Sequence, residues 1–364
     1  MHIPENYLAP ASCAVMAAAM IPVWTHAVRK IQYEMPKEKV PMIGVGAAFS
    51  FLGMMFNVPL IGGTTGHAVG GTLVALLLGP DAACAAVSVA LLLQAVIFGD
   101  GGILAFGANC FNMAFVLPYT GYAVYHLILR LSGQSGKTRA DGDPTADRIR
   151  SAAVAIASYL GINAAALCTA VEFGLQPILF HDSLGRALYC PYDLTVSIPA
   201  MMIPHLAVAG LVEAVFTVAV FSFVRRTAPD MIFEDIRMNG SAAPRYEGKE
   251  RQTAGHFPLF VLLAVMIAAT PLGLLATGTA WGEWGTGEIA EIETAGQALG
   301  YIPAGMEQGW SFAALMPDYT AGGMPEAAAY ILSAVIGAAL LVILFKLFSL
   351  TGPGSRNGKT GRSV

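Results

Sequence analysis

Long apolar stretches dominate this chain and predict most of its secondary structure. Nine of them lie at about 8–28, 41–56, 64–80, 82–98, 109–130, 151–175, 196–224, 256–276 and 324–348. Most approach the length of about 20 residues that an α-helix needs to cross a bilayer. Because a helix satisfies its own backbone polar groups in lipid, the pattern predicts an all-α, polytopic transmembrane helix bundle. Glycines in the second and third stretches leave their boundaries soft and allow tilted or partly re-entrant segments.

Basic residues indicate on which side of the membrane each loop lies. Of the 20 lysines and arginines, 19 fall in four groups, at 29–39, 130–150, 225–251 and 346–362. The positive-inside rule places all four groups in the cytoplasm. One span precedes the first group, and four, two and two spans separate the groups, so the N-terminus is predicted outside and the C-terminus inside. The external loops are then 57–66, 99–109, 176–195 and 277–323.

Composition excludes several functional classes. The chain is 55% hydrophobic and only 12% charged, whereas soluble domains carry about 25% charge. A water-soluble enzyme is therefore excluded. A net charge of −4 offers no basic surface for nucleic acid. Two stretches, 131–138 and 353–360, resemble phosphate-binding loops, but each lacks the first glycine. We also find no zinc-protease or serine-hydrolase motif, so the chain is predicted not to be an enzyme, and any ATP is bound by another subunit.

A polar, charged stretch divides the chain into two modules. Seven spans precede it, and a final pair of spans brackets loop 277–323, which has six acidic residues and no lysine or arginine. We interpret that loop as an acidic external domain or lid that can gather divalent cations. The predicted organisation is a transmembrane core at 1–225, a cytoplasmic linker at 226–255, a two-span module at 256–350 and a polar cytoplasmic tail at 351–364.

Two of the seven histidines differ from the rest in position. The predicted topology places His2, at the amino terminus, and His67, after a glycine-rich loop, on the external face. The other five are assigned interfacial, exposed or packing roles: His26, His126, His181, His205 and His256. The interpretation of His205 as a packing or hydrogen-bonding residue inside the seventh span leaves its role open.

Histidine at position 2 allows the amino terminus to chelate a metal. The α-amine of Met1, the amide nitrogen of residue 2 and the His2 imidazole can bind one ion through fused rings, and His67 would complete four nitrogens. Such a set suits Ni(II) or Cu(II) and is also possible for Co(II). Affinity should rise with pH because the ligands must lose protons. The spacing leaves open the alternative that His2 is a disordered terminal residue and His67 an ordinary loop histidine.

Four polar side chains on the same predicted face can orient the imidazoles through hydrogen bonds. They are Asn57, Thr64, Thr65 and Asn109. Groups of this kind commonly fix the ligands of a metal site. Ordinary turn chemistry is the equally simple alternative.

At these residues the sequence resembles the CbiM/NikM family, the substrate-binding subunits of energy-coupling-factor transporters for cobalt and nickel. The matching stretches are 1–8, 59–72, 78–80, 94–102, 107–114, 204–205 and 210–213, and the resemblance covers about residues 1–225. It implies seven spans, an external amino terminus plugged into the protein, and a metal held by Met1, His2 and His67. One departure is Asn6, where the family usually has glycine; we expect it to alter the first turn without touching a ligand.

The C-terminal module resembles the small two-span accessory subunit of the same systems, NikN/CbiN, here fused to the core. Stretches 270–276 and 278–285 carry this likeness. Together the resemblances imply the substrate-capture subunit of an ATP-driven importer in a bacterial or archaeal cell membrane. They imply a transmembrane scaffold subunit and two ATPase subunits as partners besides membrane lipid, and Ni²⁺ or Co²⁺ as the transported ligand with no resident cofactor.

Two alternatives stay open at this point. A stand-alone, ion-coupled secondary transporter would need carboxylates inside the membrane, and only Glu172 and Glu213 qualify. Nor does the sequence choose between nickel and cobalt, because coordination geometry favours nickel while many members of the family handle cobalt.

Overall fold

The computed structural model describes residues 1–61, 63–134, 144–227, 232–233, 257–294 and 297–351. Most of the linker predicted at 226–255 lies outside these residues, as do His256 and all but the first residue of the tail. The lysines of the two phosphate-loop-like stretches, Lys137 and Lys359, are also outside them. Helices dominate the described part, as the apolar pattern predicts.

The N-terminal core consists of helices joined by short connections. They are α1 (Pro10–Glu34), α2 (Val40–Met55), α3 (Gly71–Leu78), α4 (Pro80–Leu93), α5 (Phe106–Asn109), α6 (Leu117–Leu131), α7 (Pro144–Leu179), α8 (Leu194–Pro204) and α9 (Gly210–Thr227). Three π-helical segments continue α4, link α5 to α6 and link α8 to α9, at Gln94–Phe98, Cys110–Val116 and His205–Ala209. A small antiparallel hairpin of β1 (Val58–Pro59) and β2 (Thr65–Gly66) precedes α3.

The C-terminal part contains two long apolar helices with an extended loop between them. Helix α10 (Phe257–Ala269) continues as a 3₁₀ segment at Thr270–Leu275. The loop carries strands β3 (Glu293–Thr294) and β4 (Gln297–Ala298), the short helix α11 (Ala304–Glu307) and a 3₁₀ turn at Pro317–Tyr319. The last helix is α12 (Glu326–Thr351). This arrangement agrees with the predicted pair of spans around loop 277–323.

In the described part of the chain, six helical segments are long and apolar enough to cross a membrane. They are Pro10–Glu34, Pro80–Phe98, Pro144–Leu179, Leu194–Thr227, Phe257–Leu275 and Glu326–Leu350. Two more predicted spans form helices that are too short or not apolar enough to be counted with these six. Helix α2 has only 16 residues, and the run at 109–130 becomes a helical path from α5 to α6 with a π-helical segment inside it.

The apolar run at 64–80 does not form the full spanning helix that was predicted. Its helix, α3, has eight residues and therefore extends about 12 Å, against about 30 Å for the bilayer core. Glycines at both ends, Gly70 with φ 69° and Gly79 with φ 92°, take left-handed or extended conformations that interrupt the helix. Residues 67–70 are non-helical, and they enter the bundle ahead of α3.

The chain nevertheless passes from one end of the core to the other between His67 and Asp81. Asp81, in the first turn of α4, binds Lys30 Nζ near the end of α1 at 2.9 Å. His67, in contrast, lies beside the amino terminus, where α1 begins. Irregular backbone at this depth is tolerated only where other groups form hydrogen bonds with its N–H and C=O groups.

The C-terminal module packs directly on the core through α2 and α12. A Cβ atom placed on Gly44 would lie only 2.9 Å from the Leu341 carbonyl oxygen, and one on Gly337 would overlap the Phe51 ring. Small residues let helix backbones approach closely in membranes, where dispersion contacts drive packing. The last helix is therefore part of one packed bundle with the core.

Candidate metal site

The amino-terminal segment is inserted into the bundle and does not hang free. Met1, His2 and Ile3 are all buried, with His2 only 3% exposed. Asn109 forms two hydrogen bonds with this segment. Its Oδ1 accepts from the Ile3 amide at 2.8 Å, and its Nδ2 donates to the Ile3 carbonyl at 3.0 Å. The Gly102 amide donates to the same carbonyl at 2.8 Å. The alternative in which His2 is a disordered terminal residue is therefore wrong.

His2 and His67 face each other across a short gap. His2 Nδ1 lies 3.3 Å from His67 Nε2, and their ring centroids are 5.0 Å apart. Two nitrogens bound at about 2.0 Å and at right angles to one ion lie about 2.8 Å apart. The imidazoles therefore need only a small displacement to share one metal ion.

Met1 contributes its α-amino group next to this pair. The amino nitrogen is 2.9 Å from Glu283 Oε1, and the two side chains are only 2% and 23% exposed. Sequence reasoning missed this partner, since Glu283 stood out only as one of six acidic residues in loop 277–323. No spacing signal links residues that are 282 positions apart.

Asp100 is a second carboxylate that sequence reasoning did not assign to the site. Its Oδ1 lies 3.2 Å from His2 Nδ1, while its Oδ2 accepts from Tyr319 Oη at 2.5 Å and from Gln94 Nε2 at 3.1 Å. The contact with His2 involves the same ring nitrogen that faces His67, so Asp100 lies beside the predicted ligand atom and not at the opposite nitrogen of the ring. Its only sequence signal was membership of stretch 94–102, which carries the family resemblance.

Glu213 fixes the backbone that follows His67. Its carboxylate accepts from the Val69 amide at 2.8 Å and from the Gly70 amide at 3.1 Å. Ser50 Oγ donates to the Val69 carbonyl at 2.6 Å. These bonds provide partners for backbone polar groups of the irregular segment that leads into α3, as buried non-helical backbone in a membrane requires. They also hold the loop that carries His67.

His67 makes a second contact that bears on metal binding. The neutral imidazole is the form in which histidine binds metals. His67 Nδ1 lies 3.3 Å from the Ala68 carbonyl; a proton on Nδ1 would leave the Nε2 lone pair directed at His2.

The four predicted orienting residues do not all reach the ligands. Asn109 holds the amino-terminal segment as described, and Thr65 lines a small cavity together with Met1. Thr64 instead accepts a hydrogen bond from the Trp281 amide at 2.6 Å and donates to the Thr279 carbonyl at 3.3 Å. Asn57 lies near Gly273, and no described contact joins it to either histidine. It is the backbone nitrogen of Asn57 that lies near Gly273, 3.1 Å from where a Cβ atom on that glycine would be.

Loop 277–323 covers the amino terminus, in agreement with its interpretation as a lid. Tyr7 Oη donates to the Trp284 carbonyl at 2.8 Å, and Asn6 Nδ2 donates to the Trp310 carbonyl at 2.9 Å. With the Met1–Glu283 ion pair, these contacts place the C-terminal module over the residues that were predicted to bind metal. Among the described residues, no cluster of three or more His, Cys, Asp or Glu ligands forms an alternative metal site.

Comparison with known proteins identifies two adjoining domains. The family model for the cobalt uptake substrate-specific transmembrane region, CbiM, matches residues 2–231, and that for the PDGLE domain matches residues 255–351. The chain is 52% identical to a solved structure described as a truncated transition metal transporter, with a TM-score of 0.56, over 62% of this chain and 99% of that one.

Curated relatives of similar length share both parts. The probable fused nickel transport protein LarMN of Lactiplantibacillus plantarum is 46% identical over 95% of this chain and 97% of its own length. The fused nickel transport protein NikMN of Rhodobacter capsulatus is 43% identical over 94% of this chain and 95% of its own length. The chain therefore belongs to the CbiM family of nickel and cobalt transport proteins, with a C-terminal PDGLE domain.

Proposed function

We propose that this chain captures Ni²⁺ or Co²⁺ for an ATP-driven importer of the energy-coupling-factor type. The observation that carries the proposal is the inserted amino terminus, where His2 Nδ1 lies 3.3 Å from His67 Nε2. The proposed ligands are the Met1 α-amine, the His2 amide nitrogen, His2 Nδ1 and His67 Nε2. Four nitrogens suit planar Ni(II) coordination, and two fused relatives are named for nickel, so Ni²⁺ is the first cation to test.

Topology and partners form the second part of the proposal. The basic groups favour an external amino terminus, a seven-span core in which residues 67–70 and α3 together make the third crossing, and two C-terminal spans. Both phosphate-loop-like stretches lack the first glycine, so ATP hydrolysis belongs on two separate ATPase subunits coupled through a transmembrane scaffold subunit. The complex lies in lipid, in a bacterial or archaeal cell membrane.

Stand-alone secondary transport is the competing proposal. It requires a carboxylate inside the membrane that is free to exchange protons or ions. Glu213 is engaged by the Val69 and Gly70 amides, and Glu172 Oε2 accepts from Asn112 Nδ2 at 2.8 Å. Because both carboxylates have these structural roles, we favour a mechanism in which transport by this chain depends on partner subunits. Uptake by this chain with and without the ATPase subunits separates the two mechanisms.

Blocking the amino terminus tests the ligand set directly. An added residue before Met1, or a retained formyl or acetyl group, removes the amine lone pair or displaces it from its buried position beside Glu283. We expect Ni²⁺ binding, measured by isothermal titration calorimetry, to be lost while the protein remains folded. A matched extension after Val364 should bind normally. Unchanged affinity in the N-terminally blocked protein would exclude the proposed site.

A further inference from the structure

A small cavity lies directly against the amino terminus. Its volume is ≈ 10 Å³, which admits about one water molecule. The residues that matter for its chemistry are Met1, Thr65, Met201, His205 and Trp281. A cavity of this size beside a proposed ligand can hold one ion stripped of most of its water.

His205 is the residue of this cavity that the proposed four-nitrogen site does not use. It is only 6% exposed, and its Nδ1 lies 2.8 Å from the Met201 carbonyl. Because a carbonyl only accepts, Nδ1 carries the proton and Nε2 keeps its lone pair. No described group bonds Nε2. A neutral imidazole anchored through Nδ1 with a free Nε2 is the form in which histidine binds metals.

The backbone at His205 is also unusual for a membrane helix. His205 begins the π-helical segment that joins α8 to α9, and such segments recur at functional sites because they redirect side chains. A buried ionisable residue inside a transmembrane segment is costly unless it has a function or a full set of partners. Among the described residues, His205 has a hydrogen-bond partner at Nδ1 and none at Nε2.

A larger, open cavity adjoins the small one. It has a volume of ≈ 920 Å³, and Glu288, Glu291 and Glu293 are among its lining residues. The two cavities share Thr64, Ala200, Pro204 and Trp281. The small cavity therefore lies between an acidic outer cavity and Met1, with the Trp281–Thr64 contact at the boundary. A cation attracted by the three carboxylates is therefore held next to the cavity that His205 and Met1 line.

We propose that His205 Nε2 is a transient ligand for the entering divalent transition-metal cation, which it passes to Met1, His2 and His67. This inference rests on the proposed function. The small cavity forces a hydrated cation to lose most of its water, and an imidazole nitrogen replaces one lost water ligand before the final ligands bind. His205 thus speeds loading of the site and is absent from the final ligand set.

Loading kinetics test this role. The purified full-length chain is mixed with CoCl₂ in a stopped-flow instrument, and the Co²⁺ d–d absorption is followed for the wild type, His205→Ala and His205→Gln. The glutamine side chain can still donate to the Met201 carbonyl, so it preserves the helix break without supplying an imidazole. We expect both variants to load about tenfold more slowly, while the equilibrium affinity stays within about twofold. His181→Ala, at an exposed histidine, is the matched control.

A second measurement isolates the transient ligand. In the double variant His2→Ala, His67→Ala the final site is destroyed, and weak Co²⁺ binding with an imidazole d–d band should remain. Adding His205→Ala should remove that band. Equal spectra of the double and triple variants, or wild-type loading rates in His205→Gln, would overturn the inference. Absence of any high-affinity binding in the wild type would instead overturn the proposed function.

Discussion

Asn6 shows how a single residue shapes the amino-terminal segment. Its φ of 63° is left-handed, a conformation that glycine adopts freely and that asparagine tolerates better than most other residues. Asparagine therefore adopts a conformation that glycine would also take, and nothing in this φ supports the expectation that Asn6 alters the first turn. The side-chain amide also donates to the Trp310 carbonyl, which links the segment to loop 277–323.

The histidines provide the first prediction at the residue scale. We expect His2→Ala and His67→Ala each to abolish high-affinity Ni²⁺ binding, because each removes one of four nitrogens. His26→Ala, His126→Ala and His256→Ala should leave binding nearly intact. His26, for example, is 67% exposed and lies 3.6 Å from Asp81, at the other end of the core. Calorimetry on detergent-purified variants measures this, and a cytoplasmic-face histidine that behaved like His67 would contradict the topology.

Asn109 provides a second prediction at this scale. Asn109→Ala removes both hydrogen bonds to Ile3 and so loosens the chelating segment. We expect Ni²⁺ affinity to fall about 10–100-fold, the usual cost of losing a group that orients metal ligands. Asn163→Ala is the matched control, since Asn163 is similarly buried and its one hydrogen bond within the described part of the chain is to the Tyr159 carbonyl of its own helix. Equal affinities of the two variants would show that Asn109 does not position the ligands.

At the scale of elements, irregular segments build the site. The π-helical segments begin at Gln94, Cys110 and His205. Gln94 bonds Asp100, Asn109 directly precedes the second segment, and His205 faces the cavity beside Met1. A widened turn changes the direction in which the following side chains point. Hydrophobic periodicity does not reveal such turns, because the residues remain apolar through them.

The contact between the β1–β2 hairpin and the C-terminal loop gives a prediction at this scale. Thr64→Val keeps the shape of the side chain but removes the acceptor for the Trp281 amide and the donor to the Thr279 carbonyl. We expect faster amide hydrogen exchange at residues 278–284, because local opening costs less, with little change in global stability.

Hydrogen exchange with mass spectrometric detection measures this effect. Thr25→Val is a suitable control, since Thr25 bonds only the Ile21 carbonyl of its own helix. Unchanged exchange at 278–284 in Thr64→Val would show that the loop is held by its other contacts, such as the Tyr7–Trp284 bond.

At the scale of the whole molecule, the fused module and the core share one site. Helix α12 packs on α2 at Gly44 and Gly337, while Glu283 reaches the Met1 amine. The module supplies none of the four proposed nitrogen ligands. It does supply a carboxylate that pairs with the amine, so loop 277–323 makes a direct contact at the proposed site in addition to contributing acidic charge.

Truncation after about Arg226 tests whether the core alone binds metal and whether transport also needs the C-terminal module. Because residues 1–225 contain Met1, His2 and His67, we expect the truncated chain to insert and to retain Ni²⁺ binding, although the Glu283 ion pair is lost. Transport should suffer more than binding, since the loop that covers the amino terminus is absent. Calorimetry on the truncated chain and uptake in cells that carry the partner subunits measure the two effects.

Glu283→Gln in the full-length chain is the matched control for this truncation. It removes the charge that pairs with the Met1 amine but leaves the rest of the covering loop in place. Transport near the wild-type level in Glu283→Gln, with a defect in the truncated chain, would assign the effect to the loop as a whole. Loss of equilibrium binding in a well-folded truncated chain would show that the C-terminal loop belongs to the metal site.

The sequence by itself determined the class of fold and indicated the ligands that we propose. Apolar runs of bilayer length leave the backbone no other way to satisfy its polar groups than helices. Histidine at position 2 places an amine, an amide and an imidazole within one chelate, which is a local property of the chain. Those features depend on composition, on periodicity or on neighbouring residues, so they can be read without coordinates.

Only the tertiary structure decided how the site is enclosed. Hydropathy at 64–80 reports apolarity but not helix length, so the eight-residue α3 and the irregular segment before it were not foreseen. Glu283, Asp100 and His205 reach the amino terminus from three distant elements. Their positions depend on how helices pack and where they are interrupted. The physical reason is that such contacts arise from the combined geometry of many elements, which no local pattern encodes.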